Sequence, residues 1–128
     1  MTLDSSALIA ILFAEPKYLD LVDRILEASH VRVGAPTLVE TSLVFNGRRG
    51  PRGAESVEGL IAELGVSIVP FGEMEWHLAV EAFRRFGRGR HPAALNYGDC
   101  LAYACAQAAR DTLLFVGDDF AKTDIEAA

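Results

Sequence analysis

Five carboxylates in this 128-residue chain occupy positions from which they can meet: Asp4 in "TLDSS", Glu40 in "TLVETSLV", Asp99 in "LNYGDCLAYACA", and the pair Asp118 and Asp119 in "LLFVGDDFAKTDI". Carboxylates gathered in one cleft repel each other, by about 4 kcal/mol for each pair about 4 Å apart at an effective dielectric of about 20. Such a cluster persists when a cation occupies it. Oxygen-only donors with no histidine among them favour Mg²⁺ or Mn²⁺ over zinc. A divalent cation held in this way suits phosphodiester hydrolysis, because it readies a water for attack and neutralises charge in the transition state. His30, His77 and His91 are scattered along the chain and are assigned no chemistry.

The elements that must position these acids alternate between strand and helix. "MTLD" reads as a short strand ending at Asp4, and Ser5 or Ser6 can cap the helix that follows, which carries Leu8, Ile11 and Leu12 and stops near Glu15-Pro16. A second helix is predicted over residues 17–29 and a strand over 31–35. Pro36 then suits the first turn of the helix bearing Glu40, which shares a face with Leu43 and Val44 and so points inward. Residues 46–53 ("NGRRGPRG") read as a loop. Val57, Leu60, Ile61 and Leu64 mark a helix that Gly65 stops, and "VSIVPF" reads as a strand. A helix over 74–86 places Trp76, Val80 and Phe83 in line, as core or dimer surface. The Asp99 helix follows, and then the most apolar strand, over 112–117.

This alternation predicts an α/β fold, a parallel sheet covered by helices on both faces, in a single domain spanning residues 1–128. Function in such sheets gathers at the carboxyl ends of the strands. Asp4 and Asp118-Asp119 therefore fall on one rim, with Glu40 at the same end; topology alone does not fix the end at which Asp99 lies. Small residues such as Ala102, Ala104 and Ala106 let the Asp99 helix sit close to the sheet.

Composition sets outer limits. A hydrophobic share of 51% and a charged share of 23% fit a folded globule and argue against disorder. No apolar run reaches the roughly 18 residues that a membrane span needs, and "MTLDSS" lacks a secretion signal. Cys100 and Cys105, five apart on one helix, suit neither a disulfide nor a zinc site, which points to reduced thiols in a cytoplasm. The net charge of −6 counts against a nucleic-acid partner only if the acids are spread evenly.

The stretches "LDSSALIA", "TLVETSLV", "LNYGDCLAYACA" and "LLFVGDDFAKTDI", in this order and over the whole chain, resemble the PIN-domain ribonucleases, in particular the VapC-type toxins of toxin–antitoxin pairs. The last two motifs are the specific ones. The resemblance implies a PIN-like α/β/α sandwich with a parallel sheet of about five strands. It also implies Mg²⁺- or Mn²⁺-dependent endoribonuclease activity, a small cognate antitoxin protein that blocks the site, and a homodimer. By position, Asp4, Glu40 and Asp99 match the family's acids, and the fourth falls at Asp118 or Asp119. Ser6 matches a small hydroxyl residue near the first aspartate, placed to hold Asp4 or a water. Asp4 and Asp99 are then the expected direct metal ligands, with Glu40 and Asp118 or Asp119 completing the shell or accepting a proton. Positive charge for the RNA backbone is expected from Arg84, Arg85, Arg88 and Arg90 in "FRRFGRGRH", and from "GRRGPR"; together these hold seven of the twelve basic residues.

Taken singly, each acid has a plainer reading. Asp4 and Asp99 sit where helix caps and dipole residues sit, and Asp118-Asp119 where a turn would. Their joint order at strand exits favours chemistry. A phospho-acceptor signalling domain would need paired acids after the first strand and a lysine after the last, and the pattern does not fit. The alternative from another class is a non-catalytic RNA- or partner-binding PIN-like module; intact acids at all four positions argue against a decayed site.

Overall fold

The computed structural model describes residues 1–50 and 53–128. In chain order the elements are β1 (Thr2–Leu3), α1 (Ser5–Leu12), α2 (Tyr18–Glu27), β2 (Arg32–Gly34), α3 (Ala35–Arg49), α4 (Gly53–Glu63), β3 (Ser67–Val69), α5 (Glu73–Phe86), α6 (Tyr97–Ala109) and β4 (Leu113–Leu114), followed by a 3₁₀ turn at Phe120–Lys122. The sheet is parallel throughout, in the order β3-β2-β1-β4. Leu3 of the central strand lies opposite Val33 on one side and Leu114 on the other.

Two apolar cores flank this sheet. Leu113 packs with α5 and α6, while Leu114 packs with Leu3, Val33 and residues of α1, α3 and α4. Neighbouring residues of one strand enter opposite cores because strand side chains alternate between faces. This is the three-layer arrangement of the α/β reading. The small-residue stretch of α6 is fully buried at Ala102, Ala104 and Ala106, and Gly34 lets β2 approach it closely: a Cβ built there would stand 2.5 Å from Cys105 Sγ.

Several expectations need correction. Four strands are paired among the described residues, not about five; where a fifth would lie, Leu113 and Ala127 form an isolated parallel bridge. The apolar run over 112–117 pairs only at Leu113–Leu114, because the next residues turn outward toward the aspartate pair. Asp4, not Ser5 or Ser6, caps α1, and that helix ends at Leu12, before Glu15-Pro16. Asn46, Gly47, Arg48 and Arg49 are the last residues of α3 and not part of a loop; Arg52 of the same stretch lies outside the described residues. A glycine at 47 weakens a helix without ending it when apolar residues such as Phe45 anchor the turn before it. Trp76, Val80 and Phe83 do share one side of α5, but that side is exposed and not core.

Candidate active site

The carboxyl end of the sheet is where the acids meet. β1 ends at Leu3, and Asp4 becomes the cap of α1, its Oδ2 accepting the Ser6 N–H at 2.9 Å and the Ser6 hydroxyl at 2.5 Å. Ser6 Oγ in turn accepts the Val116 N–H at 2.9 Å. One hydroxyl thus ties the exit of β1 to the exit of β4. Asp4 is only 2% exposed, and its other oxygen, Oδ1, is buried with no hydrogen-bond partner. Burial pushes its carboxyl above the usual range, with the Ser6 and Ser5 hydrogen bonds working against the rise.

Glu40 lies in the second turn of α3, half-buried, against the first turn of α6. A Cβ on Gly98 would come within 2.5 Å of both Glu40 carboxylate oxygens, so the glycine makes the space that this side chain occupies. Burial raises the Glu40 carboxyl, and the charges of Asp4 and Asp99 raise it further. Asp99 sits at the third position of α6 and closes a capping box with Asn96. The Asn96 N–H donates to Asp99 Oδ2 at 2.7 Å and the Asp99 N–H to Asn96 Oδ1 at 3.0 Å. Its carboxyl is raised by burial and by the charges of Asp4 and Asp119, while the Asn96 N–H and Arg88 pull it down. The start of α6 therefore lies at the acid end, a point the order of elements left open.

Asp4, Glu40, Asp99 and Asp119 form one electrostatic group, linked by charge through Asp4 and Asp99. Asp118 and Asp119 are both exposed, yet only Asp119 figures among the charges that raise Asp99. No three His, Cys, Asp or Glu side chains among the described residues are arranged as a ready ligand cage. The donor chemistry nevertheless fits a hard divalent cation: all-oxygen, mutually repelling, and including an unpartnered buried oxygen on Asp4. Gly98 is the functional position that the sequence reading passed over. Its signal was a glycine in a helix's first turn directly before an acid, which gives no local reason for a missing side chain.

The PIN domain family model matches residues 1–126. The ribonuclease VapC36 of Mycobacterium tuberculosis is 41% identical over 127 residues, covering 98% of this chain and 91% of that protein. The chain belongs to the PIN-domain family and to its VapC branch. A ribonuclease VapC of Mycolicibacterium smegmatis is 37% identical, covering 99% of this chain and 98% of its own length. The crystal structure of M. tuberculosis VapC20, described as a toxin that cleaves the sarcin-ricin loop, superposes with a TM-score of 0.79. It covers 99% of this chain and 97% of that one, and at 17% identity it shows the shared fold.

In this VapC protein the arginines divide. The loop after α5 lies beside the start of α6, where the Leu95 N–H donates to the Phe86 carbonyl and the Arg88 N–H to the Leu95 carbonyl. That places Arg88 near enough for its charge to act on Asp99. Arg90 stands over the Phe83 ring. Arg84 is bound to Glu81 at 2.8 Å and Arg85 to Asp124 at 2.7 Å, so these two already have carboxylate partners. Arg48 and Arg49 stack on Phe13, eight and nine residues along α3 from Glu40, or roughly 12 Å of helix rise away. Cys100 and Cys105 are free, buried thiols, each pushed up to about 11, chiefly by burial. No helix among the described residues is long and apolar enough to cross a membrane.

Proposed function

We propose that this protein is a metal-dependent endoribonuclease, the toxin of a toxin–antitoxin pair. The observation that supports it most directly is the grouping of Asp4, Glu40, Asp99 and Asp119 at the carboxyl end of the sheet, in a chain that belongs with the VapC ribonucleases. Asp4 and Asp99 would hold a Mg²⁺ or Mn²⁺ ion, Asp4 through its unpartnered Oδ1. Bound there, the ion would supply charge neutralisation and an acidified water. Asp119 is the better fourth acid of the aspartate pair, on the strength of its charge at Asp99. Glu40, half-buried, with its carboxyl raised by burial and by the charges of Asp4 and Asp99, is placed to take the proton of the attacking water. Ser6 engages the other oxygen, Asp4 Oδ2, through its N–H and its hydroxyl. Arg88, beside Asp99, is the arginine best placed to bind the scissile phosphate, with Arg90 next to it.

The proposed partners are an RNA substrate, a small cognate antitoxin and a second copy of the chain. Support for the second copy is the exposed apolar side of α5, where Trp76 is 55% and Val80 57% exposed. The two buried, unpaired thiols fit a reducing cytoplasm.

The deciding assay incubates purified protein with total cellular RNA, with Mg²⁺ or Mn²⁺ and with chelator, beside Asp99→Asn. Discrete metal-dependent cuts bearing 5′-phosphate ends, absent from the variant, are expected. Cuts that survive chelation, or that the variant makes equally well, would overturn the assignment.

A further inference from the structure

The segment bearing Asp119 has no regular structure. It leaves β4 after Leu114, and Val116, Gly117, Asp118 and Asp119 are all exposed. An exposed, irregular stretch holds a charged side chain in one place only if both of its ends are fixed. Its first end is fixed by the Val116 N–H to Ser6. Phe120, 3% exposed, is the first anchor of the other end and packs on Phe115 at 5.1 Å between ring centroids. Beyond the 3₁₀ turn stands a polar cluster: Asp124 Oδ1 accepts the Tyr103 hydroxyl at 2.6 Å, and its Oδ2 accepts Arg85 Nη2 at 2.7 Å.

Tyr103 lies one helical turn past Asp99, on the same face of α6. Its ring is buried and packs near Phe86, and the Arg85 guanidinium stacks on that same Phe86 ring at 4.5 Å. The hydroxyl that holds Asp124 thus projects from the helix that carries Asp99. We propose that the Tyr103–Asp124–Arg85 cluster is the latch that keeps Asp119 beside Asp99, making Asp124 a positioning residue and Arg85 part of the latch and not a contact to RNA. The proposal rests on the reading of Asp119 as the fourth acid. It assigns the segment two tethers, one to the element that carries Asp4 and one to the element that carries Asp99.

Two variants separate this role from packing. Tyr103→Phe keeps the buried ring and removes only the hydroxyl. Asp124→Asn keeps the shape and removes the charge that Arg85 binds. Hydrogen–deuterium exchange on the metal-free protein should show the hydrogen-bonded amides of Val116, Lys122, Thr123 and Ile125 opening about tenfold faster in either variant, as expected for a lost hydrogen bond to a charged group. The amides of α5 and α6 should stay as in the wild type. RNA cleavage by the metal-loaded enzyme should fall in step, and Asp119→Asn combined with Asp124→Asn should be no slower than Asp119→Asn alone, because a latch has nothing left to position. Unchanged exchange at these four amides, exchange raised equally in α5 and α6, or additive losses in the double variant would each overturn the latch. Should the wild-type enzyme cut no RNA, the nuclease reading fails, while the exchange measurement still decides whether the latch exists.

Discussion

Asp4 divides its labour between two oxygens, one capping α1 and one buried without a partner. Asn at this position keeps a cap acceptor and loses the charge, so Asp4→Asn should fold. Cleavage should drop by on the order of 100-fold or more. In chelator its melting temperature should exceed that of the wild type by a few degrees, because one source of repulsion is gone; a lower one, read by circular dichroism, would show that the acids do not repel. The pH dependence has the same origin. Burial holds the Asp4 carboxyl above its ordinary value in the folded chain, and burial together with neighbouring acids does the same for Glu40 and Asp99. The folded state therefore binds more protons than the unfolded state between the two sets of values. The stability contributed by these groups is full below the unfolded range and is lost as pH rises through the folded values. Metal-free protein should accordingly melt higher at about pH 5 than at about pH 7.5, and less so in Asp4→Asn; a melting temperature that rises from the lower pH to the higher would contradict it.

Among the elements, α6 does most to shape the site, by what its first turn lacks. Gly98→Ala inserts a methyl where the Glu40 carboxylate now lies, at the flexible end of a side chain that can swing aside. The helix itself should gain slightly, since alanine is the better helix former by about 1 kcal/mol. Melting temperature should hold or rise while cleavage falls at least tenfold; a variant as active as the wild type would show that Glu40 has no fixed task. Sequence patterning made the alternation of strands and helices legible, along with the rim on which Asp4 and Asp119 stand, because apolar periodicity and strand exits are local signals. It could not show that α6 starts at the acid end, since that depends on α5 running back alongside it. Nor could it show that Arg84 and Arg85 are occupied: one partner, Glu81, is a helical turn away, but the other, Asp124, is brought over by the fold. The run over 112–117 misled because two of its apolar residues, Phe115 and Val116, serve the turn and its anchor and not the sheet.

Over the whole molecule, a net charge of −6 coexists with a basic corner beside the acids. Arg88→Ala should weaken RNA binding and flatten its dependence on salt by about one counterion, whereas Arg84→Ala, already paired with Glu81, should leave both nearly unchanged. Filter binding at several salt concentrations checks this; equal effects would mean that the Glu81 pair opens for RNA. Trp76→Glu, on the exposed apolar side of α5, should shift sedimentation from dimer to monomer without loss of helix content, and an unmoved boundary would place any self-association elsewhere. The sheet order also has a temporal side. β1 is the first strand made, yet it lies between β2 and β4, and Ser6 finds its Val116 partner only beyond β4. A growing polypeptide therefore holds Asp4 and Glu40 long before it can assemble them with Asp99 and Asp119, so a nuclease built on this plan has no complete site until its synthesis is nearly finished.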